Sequence, residues 1–116
     1  MKSHRDLDVW KQSIGLVREI YLVTRIFPAE EQYCLTNQMR RAAVSVPSNI
    51  AEGAARNSSK EFKRFLAISR GSLAELETQL LIAADLGYLE RCDTISQKIE
   101  HIRKMLHGLY NSVRGE

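Results

Sequence analysis

The feature that most constrains this chain is a mostly apolar residue at every third or fourth position, repeated over most of its length. Three long rows have this spacing: Leu7-Trp10-Ile14-Val17-Tyr21-Thr24, Phe62-Leu66-Ser69-Leu73-Leu76-Leu80-Ala83 and Ile95-Ile99-Ile102-Leu106-Leu109-Val113. Residues so spaced lie along one side of a helix of about 3.6 residues per turn. No segment alternates with a period of two for long enough to form a strand. The sequence therefore predicts an all-α protein.

Residues that begin and end helices divide the chain into four. A first helix is expected to end at Phe27, because the residue before a proline is displaced from the α region. Ser58 opens the third helix through a capping box with Glu61, and Gly87 ends it as a left-handed cap. We predict helices at 7–27, 30–56, 58–86 and 90–113. They should pack as an up-down-up-down antiparallel four-helix bundle, in one domain over residues 1–116.

Helix two contains Pro47, which removes one backbone hydrogen bond and clashes with the carbonyl four residues earlier. The apolar stripe nevertheless continues across it, so we predict a kinked but continuous helix. Small residues also predict a close approach of helices two and three. They are Ala42, Ala43, Ser45, Ala51, Gly53 and Ala54 in helix two and Gly71, Ser72 and Ala74 in helix three.

Helix one carries a second apolar row, formed by Val9, Leu16, Ile20, Val23 and Phe27. In a single copy of the chain this row would be an exposed patch beside the first row, and such patches often mark interfaces. The alternative is one broad core face. The sequence leaves self-association and a broad core equally open.

Composition excludes several classes of protein. Of the 116 residues, 44% are hydrophobic, which predicts a packed core. No apolar run approaches the roughly 20 residues needed to span a bilayer, and residues 1–12 lack the apolar segment of a secretory signal. Cys34 and Cys92 form no CxxC or Cys/His pattern, which is typical of a reducing compartment. We expect a cytoplasmic protein with no membrane contact.

The positive charge is unevenly distributed. The chain has 17 basic and 14 acidic residues, a net charge of +3. Residues 40–70 hold seven of the basic residues and only two of the acidic ones, which leaves ten basic and twelve acidic residues elsewhere. Such a local excess favours an anion-facing surface, although a solvated helix face with unbalanced charges would have the same composition.

Three sequence blocks carry a family resemblance. They are DLDVWK at 6–11, QMRRAAVSVPSNIAEG at 38–53 and RGSLAELETQ at 70–79. With them the chain resembles the 23S rRNA-intervening sequence proteins over about residues 6–113. The resemblance implies a small helical bundle that assembles into a ring-shaped homopentamer and has no agreed catalytic residue. Some members are encoded within bacterial 23S rRNA genes, and a related retroelement accessory protein binds nucleic acid and a reverse transcriptase. RNA, DNA and a protein are therefore the candidate partners.

Catalytic chemistry has little support in the sequence. A di-metal site in a bundle needs Glu-x-x-His motifs on two helices, whereas His101 and His107 have no glutamate three residues before them. Neither cysteine is marked as an activated nucleophile, and there is no glycine-rich phosphate loop. We predict no catalytic residue, no metal site and no cofactor, and hence a protein that is not an enzyme.

Two groups of polar residues remain as candidates. The first flanks the turn between helices two and three, where long cationic side chains meet phosphates while staying in water; it consists of Arg56, Lys60, Lys63 and Arg64. The second lies inside the resemblance blocks and is predicted to form a polar network locking helix two to helix three; it consists of Arg40, Arg41, Asn49, Glu52, Arg70, Glu75 and Glu77. The same network residues could instead shape a ligand surface.

We therefore predict a non-enzymatic, self-assembling bundle that binds RNA or other nucleic acid with weak sequence specificity. The alternative is a structural or protein-interaction module whose basic residues stabilise only its own assembly.

Overall fold

The computed structural model describes residues 3–90 and 93–114. It contains four α-helices, α1 (Asp8–Thr24), α2 (Leu35–Ala54), α3 (Ser59–Asp85) and α4 (Asp93–Ser112), and short 3-10 helices at His4–Asp6 and Ala29–Glu31. No strand occurs in the described residues, which confirms the predicted all-α, four-helix fold. None of the helices in these two ranges combines the length and apolarity needed to cross a bilayer.

Each helix packs against two others. Helix α2 lies between α1 and α3, and α4 contacts both α3 and α1. The contact between α2 and α3 is the most extensive. The largest fully buried aliphatic side chains come from all four helices, and they include Leu16, Ile20, Met39, Ile50, Leu66, Leu73, Leu76, Ile99, Ile102 and Leu106. Burial of each such side chain favours folding by about 1.5 to 3 kcal/mol.

The two apolar rows of α1 are buried to different depths. Val9, Leu16, Ile20 and Phe27 of the second row are buried, and Leu7, Trp10 and Val17 of the first row are partly buried against the same core, which is the broad core face that the sequence had left open. In the first row, which begins at Leu7, Ile14 is 37% exposed and Tyr21 40% exposed, so this row reaches the surface. Two hydroxyl side chains of α1, Ser13 and Thr24, are also buried, and each donates to the carbonyl four residues earlier, at 2.7 Å in both cases.

The connection between α1 and α2 is longer than predicted. Helix α1 ends at Thr24 rather than Phe27, and α2 begins at Leu35 rather than residue 30. The backbone of Cys34 is not helical, with φ −120° and ψ −108°, so α2 does not extend back to residue 30. The Glu31 carboxylate still supports the start of α2, because it accepts the Leu35 N–H at 3.3 Å.

Helix α2 continues through Pro47, as the unbroken stripe predicted. Met39, Val46 and Ile50 are fully buried, so the same face packs on the core before and after the proline. From α3, the Ser69 hydroxyl donates to the Val46 carbonyl at 2.7 Å. The helix is thus held to its neighbour beside the residue that weakens its own hydrogen bonding.

The predicted close approach of α2 and α3 occurs at Gly53 and does not involve Gly71. A Cβ atom at Gly53 would lie 2.7 Å from the Phe65 Cβ, a separation that real side chains do not adopt. A Cβ atom at Gly71 would meet nothing within 4 Å. Gly71 is exposed because it lies on the opposite side of α3 from the buried Ser69 and Leu73.

Both ends of α3 follow local rules. Ser58 caps its start, with the hydroxyl accepting the Glu61 N–H at 3.2 Å. At the other end Gly87 has φ 78°, a conformation that glycine adopts without strain. The N–H groups of Gly87 and Tyr88 donate to the carbonyls of Ala84 and Ala83, at 3.0 Å each. This is the Schellman arrangement, and it confirms the predicted left-handed cap.

Candidate nucleic-acid interface

The turn between α2 and α3 determines where the four predicted contact residues lie. Helix α2 ends at Ala54 and α3 begins at Ser59, so only four residues separate the helices. Arg56 lies in this turn, while Lys60, Lys63 and Arg64 lie on the first two turns of α3. We name these four residues the turn cluster.

Two members of the turn cluster share one aromatic ring. The guanidinium carbon of Arg64 lies 4.5 Å from the Phe65 ring centroid, and that of Arg56 lies 5.0 Å from it. Phe65 itself is only 7% exposed. The ring therefore holds two cations from different sides of the turn by cation–π attraction. Sequence reasoning missed Phe65, although its position next to Arg64 and one apolar step from Phe62 was a signal.

Carboxylates partly offset the cluster's charge. Arg64 binds Glu61 through two hydrogen bonds, of 3.0 Å from Nε and 3.1 Å from Nη2. This pairing lowers the pKa of the Glu61 carboxyl and raises the pKa of Arg64. Arg56 makes a longer contact, with its Nη2 3.9 Å from the Glu52 carboxylate. Both pairs are exposed, where ion pairs contribute little to stability.

The two lysines differ in orientation. Lys60 is exposed, and its ammonium has no hydrogen-bond or ion-pair partner among the residues that the structure describes. Lys63 is half-buried, and its ammonium lies 4.5 Å from the ring centroid of Tyr110 on α4. The structure thus brings Arg56 and Arg64 together on Phe65, whereas Lys63 lies towards α4.

The contact between α2 and α3, which positions the turn, contains a chain of small polar side chains. The Asn49 amide donates to the Ser45 carbonyl and to its hydroxyl, at 2.8 Å each. That hydroxyl lies 2.8 Å from the hydroxyl of Ser72 on α3. Asn49 therefore reaches α3 through two serines that were not among the predicted network residues.

The sequence model of the 23S rRNA-intervening sequence proteins matches residues 5–108, which include all four helices except the last turn of α4. The chain belongs to this family. No curated protein matches it. The two longest blocks that carried the resemblance lie on α2 and α3, whose mutual contact is the most extensive in this family member.

The remaining network residues of this intervening-sequence protein fall into separate contacts. Arg40 binds α1 rather than α3: its Nε donates to the Thr24 hydroxyl at 2.8 Å, its Nη2 donates to the Tyr21 carbonyl at 3.3 Å, and its guanidinium lies 4.6 Å from the Tyr21 ring centroid. Arg41 is exposed and has no side-chain partner within the described ranges. Arg40 thus joins α1 to α2, and Arg41 remains open to solvent.

On α3 the other network residues face two directions. Glu77 accepts from Arg103 of α4 at 2.8 Å, and Arg103 also pairs with Glu100, so the pKa of Arg103 is raised, chiefly by Glu77. Arg70 lies 5.7 Å from the Tyr110 ring centroid. Glu75 accepts from Gln79 on its own helix at 3.2 Å.

These contacts, with the Glu52–Arg56 pair, do not join the seven residues into one network. Instead, they divide among the α1–α2, α2–α3 and α3–α4 contacts and the exposed surface. Among the described residues, no group of three or more histidine, cysteine, aspartate or glutamate side chains is arranged to hold a metal ion. Cys34 is an exposed free thiol, and Cys92 lies outside the described residues.

Proposed function

We propose that this family member is a non-enzymatic, self-assembling bundle that binds RNA through the turn cluster. The observation that carries the proposal is the placement of Arg56 and Arg64 on one aromatic ring, with Lys60 exposed beside them. Because the ring limits the movement of both guanidinium groups, less side-chain entropy is lost when they meet a phosphate. The family description refers to 23S rRNA, which supports RNA as the class of partner.

The charges of the turn cluster support binding that depends on assembly. Together with the carboxylates of Glu52 and Glu61, which pair with Arg56 and Arg64, the four cations give the group a net charge of about +2 in one copy. A single copy would contact few phosphates. A ring of copies multiplies the cations along one RNA, and the affinity and its salt dependence both rise with the number of phosphate contacts.

Weak sequence specificity follows from the same geometry. The aromatic ring within the cluster, Phe65, is buried beneath two guanidinium groups and offers no free face to a base. Contacts from exposed lysine and arginine side chains go to phosphates, which carry no sequence information directly.

We propose a homopentamer as the assembly, with an apolar groove between α1 and α2 as one of its contact surfaces. The groove is lined by Trp10, Ile14, Val17, Val44 and Pro47, among others. Ile14 is 37% exposed and Val44 40% exposed in the single chain. Apolar side chains grouped in this way are typical of protein interfaces.

We also infer that the helices alternate in direction along the chain and that Pro47 bends α2. The short turn between α2 and α3 supports the antiparallel order, since short connections join antiparallel neighbours. The missing N–H of Pro47 supports the bend. The free thiol of Cys34 supports a cytoplasmic location, because thiols stay reduced there.

One observation favours the alternative of a structural or protein-interaction module. Arg64 is already paired with Glu61 through two hydrogen bonds, and an arginine neutralised in this way is less available to phosphate. In that case the turn cluster would stabilise the bundle or its assembly and bind no RNA.

An RNA-retention experiment separates these functions. The variant Lys60→Ala/Lys63→Ala/Arg64→Ala should fold normally, bind RNA more weakly and show a log-affinity against log-salt slope flatter by about 0.7 to 0.9 per lost phosphate contact. The matched control is Lys11→Ala/Arg18→Ala/Lys104→Ala, which removes the same charge from exposed side chains that have no hydrogen bond or ion pair with the described residues. If the two variants bind alike, the turn cluster is not the binding surface. If the unaltered protein retains no RNA at low salt, the alternative is favoured.

A further inference from the structure

A second group of cations, Arg40 and Arg41, lines a cleft together with two tyrosines, Tyr21 and Tyr33. There α1, the connection before α2 and α2 itself enclose an open cleft of about 530 Å³. This volume lies within the range of about 300 to 1,000 Å³ that small-molecule sites occupy. The side chains that matter to the argument are Tyr21, Gln32, Tyr33, Asn37, Arg40 and Arg41.

One wall of the cleft is held rigidly. Arg40 donates to the Thr24 hydroxyl and to the Tyr21 carbonyl, and its guanidinium covers one face of the Tyr21 ring at 4.6 Å. These contacts come from α1 and α2 together, so the wall keeps its shape without a ligand. The Arg40 guanidinium contributes positive charge to the cleft while its orientation is fixed.

The opposite part of the cleft is open. Tyr33 is 85% exposed, more than any other large hydrophobic or aromatic side chain in the described residues. Neither its hydroxyl nor the Arg41 guanidinium has a hydrogen-bond or ion-pair partner in the part of the chain that the structure describes. An exposed aromatic ring and an unpaired cation that line the same cleft are the two groups needed to hold an unstacked base and its phosphate.

We infer that this cleft binds one unpaired nucleotide of a single-stranded RNA. The base stacks on the free face of Tyr33, the adjoining phosphate meets Arg41, and the amides of Asn37 and Gln32 lie within the same cleft to meet the base edge. The inference rests on the proposed RNA binding and adds a preference for unpaired strands. Bases in a duplex are stacked on one another and present no free face to Tyr33.

The cleft and the turn cluster therefore differ in what they recognise. The turn cluster has cations but no exposed ring, so single and double strands offer it the same phosphates. The cleft has an exposed ring, and only a strand with a free base uses it. Loss of the ring should accordingly weaken the binding of single strands alone.

The test compares a short fluorescein-labelled single-stranded RNA with a blunt duplex of the same sequence, titrated with the full chain by fluorescence anisotropy. Tyr33→Ala should weaken single-strand binding about 5- to 150-fold, the effect of losing one stacked base, and leave duplex binding unchanged. Tyr33→Phe is the matched control, because it keeps the ring and should bind like the unaltered protein. Arg41→Ala should weaken single-strand binding, whereas Arg18→Ala, at an exposed arginine of α1, should not.

Three outcomes would overturn the inference. If Tyr33→Ala and Arg41→Ala bind the single strand normally while the turn-cluster variant does not, the cleft is not a nucleotide site and the proposed function stands. If Tyr33→Ala weakens single-strand and duplex binding equally, stacking on an unpaired base is excluded. If Tyr33→Ala changes the particle mass in light scattering, the cleft is a contact between copies. If the unaltered protein binds no RNA at all, the proposed function itself is refuted.

Discussion

The two sides of α2 are built differently. Towards α3 the helices are in direct contact: the Gly53 backbone leaves no room for a Cβ atom, and Ser69 donates across the contact to the Val46 carbonyl. Towards α1 the contact is open at the surface, with Ile14 and Val44 each more than a third exposed and an adjoining cleft beside Tyr33.

The difference follows from side-chain size. Small residues allow the backbones of α2 and α3 to approach, so short hydroxyl side chains reach across between the helices. Larger side chains, among them Trp10 and Tyr21, separate α1 from α2 at the surface and leave a groove. One side of α2 is therefore in close contact with its neighbour at Gly53, while the other leaves an open groove at the surface. Four predictions test this division.

The largest effect is expected in the groove. Ile14→Asp/Val44→Asp places two carboxylates in an apolar contact, and burying unpaired charge is strongly unfavourable. We expect the unaltered protein to run as a pentamer in light scattering and this variant as a monomer of unchanged helicity. Gln12→Asp/Gln97→Asp adds the same charge at exposed positions and should leave the pentamer intact. A pentameric Ile14→Asp/Val44→Asp variant would remove the groove from the assembly.

The next effect concerns the closed side of α2. Gly53→Ala should lower the free energy of unfolding by about 1 to 3 kcal/mol, because the new methyl group overlaps Phe65. Gly71→Ala is the matched control, since its methyl group meets open space and alanine favours a helix over glycine by about 1 kcal/mol. Urea denaturation should show opposite signs for the two variants. Equal effects would mean that α2 and α3 do not approach closely at Gly53.

A smaller effect is expected at the hydrogen bond between these helices. Ser69→Ala removes the donor to the Val46 carbonyl and should lower the free energy of unfolding by about 0.5 to 1.5 kcal/mol. Ser96→Ala, at an exposed serine of α4, should change it little. If urea denaturation gives the same value for both, the Ser69 bond contributes no net stability to the α2–α3 contact.

The smallest effect is expected where the end of α3 contacts the connection before α2. There the contribution of one hydrogen bond to stability should depend on alkaline pH. Tyr88 donates to Glu31 at 2.6 Å, and this bond raises the pKa of the phenol. The bond should therefore stabilise the protein fully below the ordinary tyrosine pKa of about 10, and its contribution should be lost as pH rises through the raised value.

Tyr88→Phe keeps the ring near Phe27, whose centroid is 5.5 Å away, but cannot donate. Its melting temperature should be lower than that of the unaltered protein at neutral pH, and the difference should shrink at strongly alkaline pH. A difference that stays constant with pH would show that the Tyr88–Glu31 bond does not account for it.

Much of the candidate site could be predicted from the sequence. The capping residue Ser58 and the charge excess of residues 40–70 together place Arg56, Lys60 and Arg64 around an exposed turn. The aromatic partners could not be predicted in the same way. Tyr110 reaches Lys63 and Arg70 only because α4 packs beside α3, and Tyr21 reaches Arg40 only because α1 packs beside α2.

The sequence by itself determined features that depend on neighbours along the chain. The spacing of apolar residues makes the chain helical, Gly87 ends α3 because its backbone adopts a positive φ, and the unbroken stripe keeps α2 continuous through Pro47. The tertiary structure alone decided which apolar row of α1 is more deeply buried. Adjacent rows on a helix lie within one wide apolar face, so their hydrophobicity does not separate them. The shape of the facing helices does, and it places Leu16 and Ile20 inside while Ile14 and Tyr21 remain at the surface.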